Sequence, residues 1–175
     1  MKRSRLIVFV LLVMAQVVFV GNMVRSSEAV LTSGQRVTLQ TRPIDPRDLF
    51  RGDYVILDYA IEAIPRLGVP WEMENPAEGD RIWVVLEPRG EFSEPTAVLG
   101  SPAAGDAVAI RGTITWVRDD EVGVDYDINE YFVPEGRGWE VERAQRVDVV
   151  VAVDDDGAAV IDHLIVDGWR WDPEG

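Results

Sequence analysis

From Leu6 to Val20 the chain reads LIVFVLLVMAQVVFV, with Gln16 as its only polar residue, and Gly21, Asn22, Met23 and Val24 prolong it more weakly. A helix that is apolar all round belongs in a protein core or in lipid, because it has no polar face to turn to water. At a rise of about 1.5 Å per residue, roughly 19 residues cover ~28 Å, close to the ~30 Å hydrocarbon thickness of a bilayer. Lys2, Arg3 and Arg5 precede the run and Arg25 follows it. Such flanking charges argue against a buried core helix, and the positive-inside bias keeps the N-terminus in the cytoplasm and exports the remainder. We therefore expect residues 6–24 to contact the lipid bilayer. A cleaved signal peptide is the alternative: Ser27, Glu28 and Ala29 form a small-x-small site, but it lies about nine residues beyond Val20, far for the pattern.

Charge divides the chain at the same place. No acidic residue occurs in the first 25, and removing their four basic residues from the 17 in the chain leaves 13 against 31 acidic, a net charge of −18. That surface repels phosphate backbones and offers no Lys/Arg stripe, so we expect no nucleic-acid partner. With no cysteine in the chain, disulfides, thiolate nucleophiles and cysteine-based metal sites are excluded. Lys2 is the only lysine; the exported part therefore cannot form a serine–lysine dyad.

Beyond Gly34 the dominant hydrophobic period is two, interrupted by Gly, Pro and Asp clusters, which indicates strands. Arg36 to Gln40 is the first run, and Pro43-Ile44-Asp45-Pro46 turns the chain after it. Gly52 to Ile61 follows as one strand, with Val55, Leu57, Tyr59 and Ile61 on one face and Tyr54, Ile56 and Asp58 on the other. Arg81 to Glu87, Ala107 to Val117, Val122 to Ile128, Arg146 to Val153 and Ala158 to Val166 read the same way, giving at least seven strands. Asp154 to Gly157 supplies a hairpin signal between the last two. The run Trp139 to Gln145 is the one short helix, and Gly68 to Gly79 is the longest loop. The expected fold is mainly β, an antiparallel sandwich or small barrel with one short helix, preceded by a single transmembrane helix.

Few constellations carry chemistry. His163, the only histidine, lies in a strand-like run with Ile161 and Ile165 and reads as structural, and no nucleophile motif accompanies it. Asp125, Asp127 and Asn129 have the spacing of a calcium loop's first ligands, but Glu130 stands where the loop needs glycine and Gly136 where it needs a bidentate glutamate. Strand alternation explains that spacing, with Val124, Tyr126 and Ile128 inward. We expect no catalytic residue, metal or cofactor. Trp169 and Trp171 would share a face if extended, covering the end of the β domain.

The strand opening at Gly52 reads Gly52-Asp53-Tyr54-Val55-Ile56-Leu57-Asp58-Tyr59, which resembles the signature of the bacterial GDYXXLXY protein family at every defined position. The approach Pro43 to Arg51, the segment Tyr131 to Gly136 and the closing Leu164 to Gly168 are similar to that family as well. The resemblance covers nearly the whole chain, including the membrane segment. It implies an anchored protein of the bacterial cytoplasmic membrane, single-pass, with its C-terminal domain outside and an integral membrane protein as partner. It supplies no catalytic residue.

Physically, the motif offers a tight corner around Asp45-Pro46 and Arg51-Gly52 leading to Leu57 and Tyr59 in a core. Arg47, Asp48, Arg51 and Asp53 are then the candidate partner-binding residues, since binding groups sit on loops held by rigid scaffolds. The expected organisation is a cytoplasmic start and anchor over 1–25, a juxtamembrane linker over 26–35 and an extracytoplasmic β domain over 36–175. Two functions compete: an accessory or binding domain acting with a membrane partner, and an envelope-acting hydrolase dependent on carboxylates or a cation. A cleft holding carboxylates without ion-pair partners would favour the second.

Overall fold

The computed structural model of the chain describes residues 2–42, 50–51, 54–134 and 136–172, and for residues 2–6, 23, 50, 51 and 142 the backbone alone. One long apolar helix, α1 (Lys2–Ser33), leads into a body built mainly of strands. Ile7–Ser33 is long and apolar enough to cross a membrane, and its most apolar stretch is not buried by any of the described residues. The helix runs on through residues 26–33 of the segment assigned to the linker.

The junction between α1 and the body is short and tight. Gly34 alone separates the helix from β1 (Gln35–Gln40), and its N–H donates to the Val30 carbonyl at 2.8 Å. Arg36 reaches back to donate to the Leu31 carbonyl at 2.8 Å, satisfying one of the orphan acceptors at the helix end. The same guanidinium pairs with Asp162 at 3.3 Å. Val30 is buried, and the helix end rests on two later strands, β10 (Val147–Val153) and β11 (Ala159–Val166).

Three antiparallel sheets form the body, and they do not close into a barrel. The first has the order β1-β10-β11-β12, where β12 is Trp169–Arg170. Here β10 is flanked on both edges and its residues from Asp148 to Val153 are all buried, which is why VDVVVAV is so rich in valine. The second sheet is small: β2 (Phe50–Arg51), β3 (Tyr54–Ile56) and β9 (Glu130–Phe132). The third has the order β4-β8-β7-β5-β6, from β4 (Ala63–Pro65), β5 (Arg81–Arg89), β6 (Phe92–Leu99), β7 (Ala109–Val117) and β8 (Glu121–Asp125). A short helix, α2 (Gly138–Glu142), overlaps the run expected to be helical, Trp139 to Gln145, and ends three residues earlier.

The run read as one strand from Gly52 to Ile61 is instead divided. Pairing with β9 ends at Ile56, Tyr59 bridges to Thr41, and Ala60–Glu62 forms a 3-10 turn before β4 joins the third sheet. The chain thus passes from the second sheet to the third within a dozen residues, exchanging partners while keeping its alternation: Val55, Leu57, Tyr59 and Ile61 are all buried. They meet Leu39, Ile64, Ile82, Ile110, Ile114 and Leu164 in one continuous core. The strand β6 escaped the sequence pattern because Pro95 interrupts it; as the edge of its sheet it tolerates a residue without an N–H.

Candidate functional site

The motif strand divides into an inward and an outward part. Leu57 and Tyr59 lie in the core, whereas Tyr54 is 47% exposed. On the neighbouring strand Phe132, 57% exposed, sits directly opposite Tyr54 in register. Their rings meet edge to face with centroids 5.6 Å apart, a favourable aromatic geometry. The Arg51 backbone pairs with Tyr54 on the other side. The Arg51 side chain, Arg47, Asp48, Gly52 and Asp53 lie outside the described residues.

Behind the motif, two tyrosines lock the strand to the segment that precedes β9. The Tyr59 hydroxyl donates to the Ile128 carbonyl at 2.7 Å, and the Tyr126 hydroxyl donates to the Ile61 carbonyl at 2.8 Å. Both phenols are buried, and burial, aided by the negative charge of Glu62, pushes their pKa values up. They act as neutral hydrogen-bond donors at any ordinary pH. The Leu57 N–H donates to the Asn129 carbonyl at 2.8 Å, and the Asn129 amide donates to Glu62 Oε1 at 2.8 Å.

Glu62 faces a cleft of about 280 Å³ that is also lined by Arg42, Thr115, Trp116, Asp125 and Asn129. Burial raises the carboxyl to about 7; nearby Asp58 adds to the rise, while the Tyr59 backbone, Arg42 and the Asn129 amide oppose it. No ion pair closes on Glu62 or Asp125 among the described residues. Asp125 accepts the N–H of Asp127 at 2.9 Å, and Asp127 takes a positive φ of 58°. The Asp125–Asn129 spacing is therefore that of an Asx turn, with Val124, Tyr126 and Ile128 inward. Among the described residues no group of three or more His, Asp or Glu is placed to hold a metal ion.

His163 lines a second cleft, of about 530 Å³, with Tyr131, Asp162, Arg170, Trp171 and Asp172. Its Nδ1 lies 3.1 Å from Asp162 Oδ2. Burial pushes the Asp162 carboxyl up, but hydrogen bonds from His163 and Arg36 outweigh it and hold the group below its ordinary range. The hydroxyl that lines this cleft among the described residues is the Tyr131 phenol, whose pKa burial pushes up. The tandem tryptophans differ in burial: Trp169 is 80% exposed, while Trp171 is buried and donates its indole N–H to Glu140 at 2.9 Å.

Sequence reasoning missed Glu62 and Arg42, and weighed Asn129 only as a calcium-loop ligand. Their proximity depends on strands exchanging partners, and the only local signal was a glutamate beside an otherwise apolar face. No curated protein and no solved structure matches the chain significantly. The model of the GDYXXLXY protein family matches residues 16–164, from the middle of α1 to near the end of β11, and the chain belongs to that family.

Proposed function

We propose that this chain is a single-pass protein of the bacterial cytoplasmic membrane whose β domain stands outside the cytoplasm and binds an integral membrane partner. The observation that carries the reading is the exposed Tyr54–Phe132 pair beside the motif corner. Large aromatic rings held in solvent on a rigid strand pair lose little entropy on docking, and such residues are enriched among interface hot spots. Arg47, Asp48, Arg51 and Asp53 precede Tyr54 closely in sequence and are the charged candidates for the same contact. The basic residues before the apolar run support the orientation, and family membership supports the anchor.

Copurification tests the reading. Tagged full-length chain, solubilised in mild detergent and crosslinked, brings down one specific integral membrane protein, and Tyr54→Ala or Arg51→Ala weakens recovery without changing the melting temperature. Recovery of the chain alone sinks the proposal. Orientation is checked separately: a reporter active only outside the cytoplasm, fused after Gly175, is active, and an inactive fusion reverses the topology.

A second reading has its own support. Glu62 and Asp125 line one cleft without ion pairs among the described residues, the feature expected of a carboxylate-dependent envelope hydrolase. Turnover of cell-wall glycans by purified chain, abolished in Glu62→Gln, would favour it over the accessory function.

A further inference from the structure

We propose that α1 pairs with the α1 of a second copy of this chain through Gln16. The inference rests on the reading that α1 crosses a membrane. Counting from Leu6 at about 1.5 Å per residue, Gln16 lies roughly 15 Å into a ~30 Å hydrocarbon layer, at its midplane. Its side chain is exposed on the helix and makes no hydrogen bond to any described residue. An amide carries two N–H donors and a carbonyl acceptor, and in hydrocarbon no water can satisfy them. Polar side chains at that depth turn to another helix and hydrogen-bond across the interface.

A second copy meets the requirement most directly. Two anchors inserted in the same direction place identical amides at identical depth, and the donor and acceptor of one match the acceptor and donor of the other across a two-fold axis. Phe9, Leu12, Val20 and Gln16 fall on one face by helical periodicity, whereas Met14 and Val18 fall on the opposite one. The acidic β domains oppose the pairing, but charges farther apart than the ~8 Å Debye length at physiological salt are largely screened.

The chain has no cysteine, so single cysteines report the interface cleanly in the full-length protein in its native membrane. Under mild oxidation, Leu12→Cys and Val20→Cys give disulfide-linked dimers several-fold more abundant than Met14→Cys and Val18→Cys. Adding Gln16→Leu lowers that yield several-fold, and Gln16→Asn, which keeps the amide, retains most of it. Yields equal on both faces, unaffected by Gln16→Leu, or absent while the chain stays in the membrane pellet overturn the pairing, the last result pointing to a helix of another protein. A chain extracted from the pellet by alkaline wash instead overturns the membrane reading on which the pairing depends.

Discussion

The Tyr59 hydroxyl donates to the Ile128 carbonyl at 2.7 Å while the Tyr126 hydroxyl donates to the Ile61 carbonyl at 2.8 Å. The last tyrosine of the family motif is thus half of a reciprocal clamp. It joins the stretch that carries the motif out of the second sheet to the stretch that leads into β9, the strand bearing Phe132.

Removing the hydroxyl alone tests the clamp. Tyr59→Phe keeps the ring but leaves the buried Ile128 carbonyl without its donor, a loss of about 1 to 3 kcal/mol. Tyr59→Ala also opens a cavity in the core and costs about 3 to 5 kcal/mol. Denaturant titration of the detergent-solubilised chain should rank wild type above Tyr59→Phe and Tyr59→Ala lowest. A Tyr59→Phe midpoint equal to wild type would show that the hydrogen bond carries no net stability.

The junction at Gly34 makes a second prediction, which rests on space. A Cβ at this position would lie 2.5 Å from the Val30 carbonyl oxygen and 3.0 Å from that of Val153, both backbone atoms that cannot rotate aside. Gly34→Ala therefore forces the helix end away from β10, at about 1 to 3 kcal/mol for an overpacked site. Limited proteolysis should show faster cleavage between residues 28 and 36 in Gly34→Ala than in wild type. Equal cleavage rates would mean that the junction yields without strain.

Much of this architecture was legible in the sequence, for a physical reason. A period of two survives wherever one face of the chain is buried, so Val55, Leu57, Tyr59 and Ile61 were assigned to the core although the chain leaves its sheet after Ile56 and turns through a 3-10 helix among them. What periodicity does not encode is the identity of the neighbouring strand. The single run from Gly52 to Ile61 therefore hid a 3-10 turn, and β9 and β12, at three and two residues, were too short to show any period. The Glu62 cleft was illegible for the same reason, because Arg42, Glu62, Asp125 and Asn129 come from segments that meet only through those pairings. Tyr54 was assigned to the outer face by alternation alone, yet its edge-to-face contact with Phe132 required β9 to be known.

Exposure separates two roles within the motif. Tyr54→Ala removes a ring that is half in water, so the melting temperature should stay within a small shift, corresponding to less than about 1 kcal/mol for a surface position. If Tyr54→Ala instead destabilises the chain as much as Tyr59→Ala, the aromatic pair is structural and the docking face must be sought elsewhere.

The last prediction concerns pH, through Glu62. Its carboxyl is raised from an ordinary 4.5 to about 7, chiefly by burial, so between those values the folded chain holds a proton that the unfolded chain has released. Stability from this group is fully present below about 4.5 and is lost as the pH rises through about 7, since linkage lowers unfolding free energy wherever the native state binds more protons. The group is only partly buried, and solvent screening reduces the effect to the order of 1 kcal/mol. Glu62→Gln removes the titration while keeping an acceptor for the Asn129 amide, which donates to Glu62 at 2.8 Å. Denaturant midpoints measured at pH 5, 6, 7 and 8 should therefore fall less steeply for Glu62→Gln than for wild type, and the variant should be the more stable of the two at pH 8. Parallel profiles would show that Glu62 titrates in the ordinary carboxylate range, and the case for a proton held in this cleft at neutral pH would be lost with it.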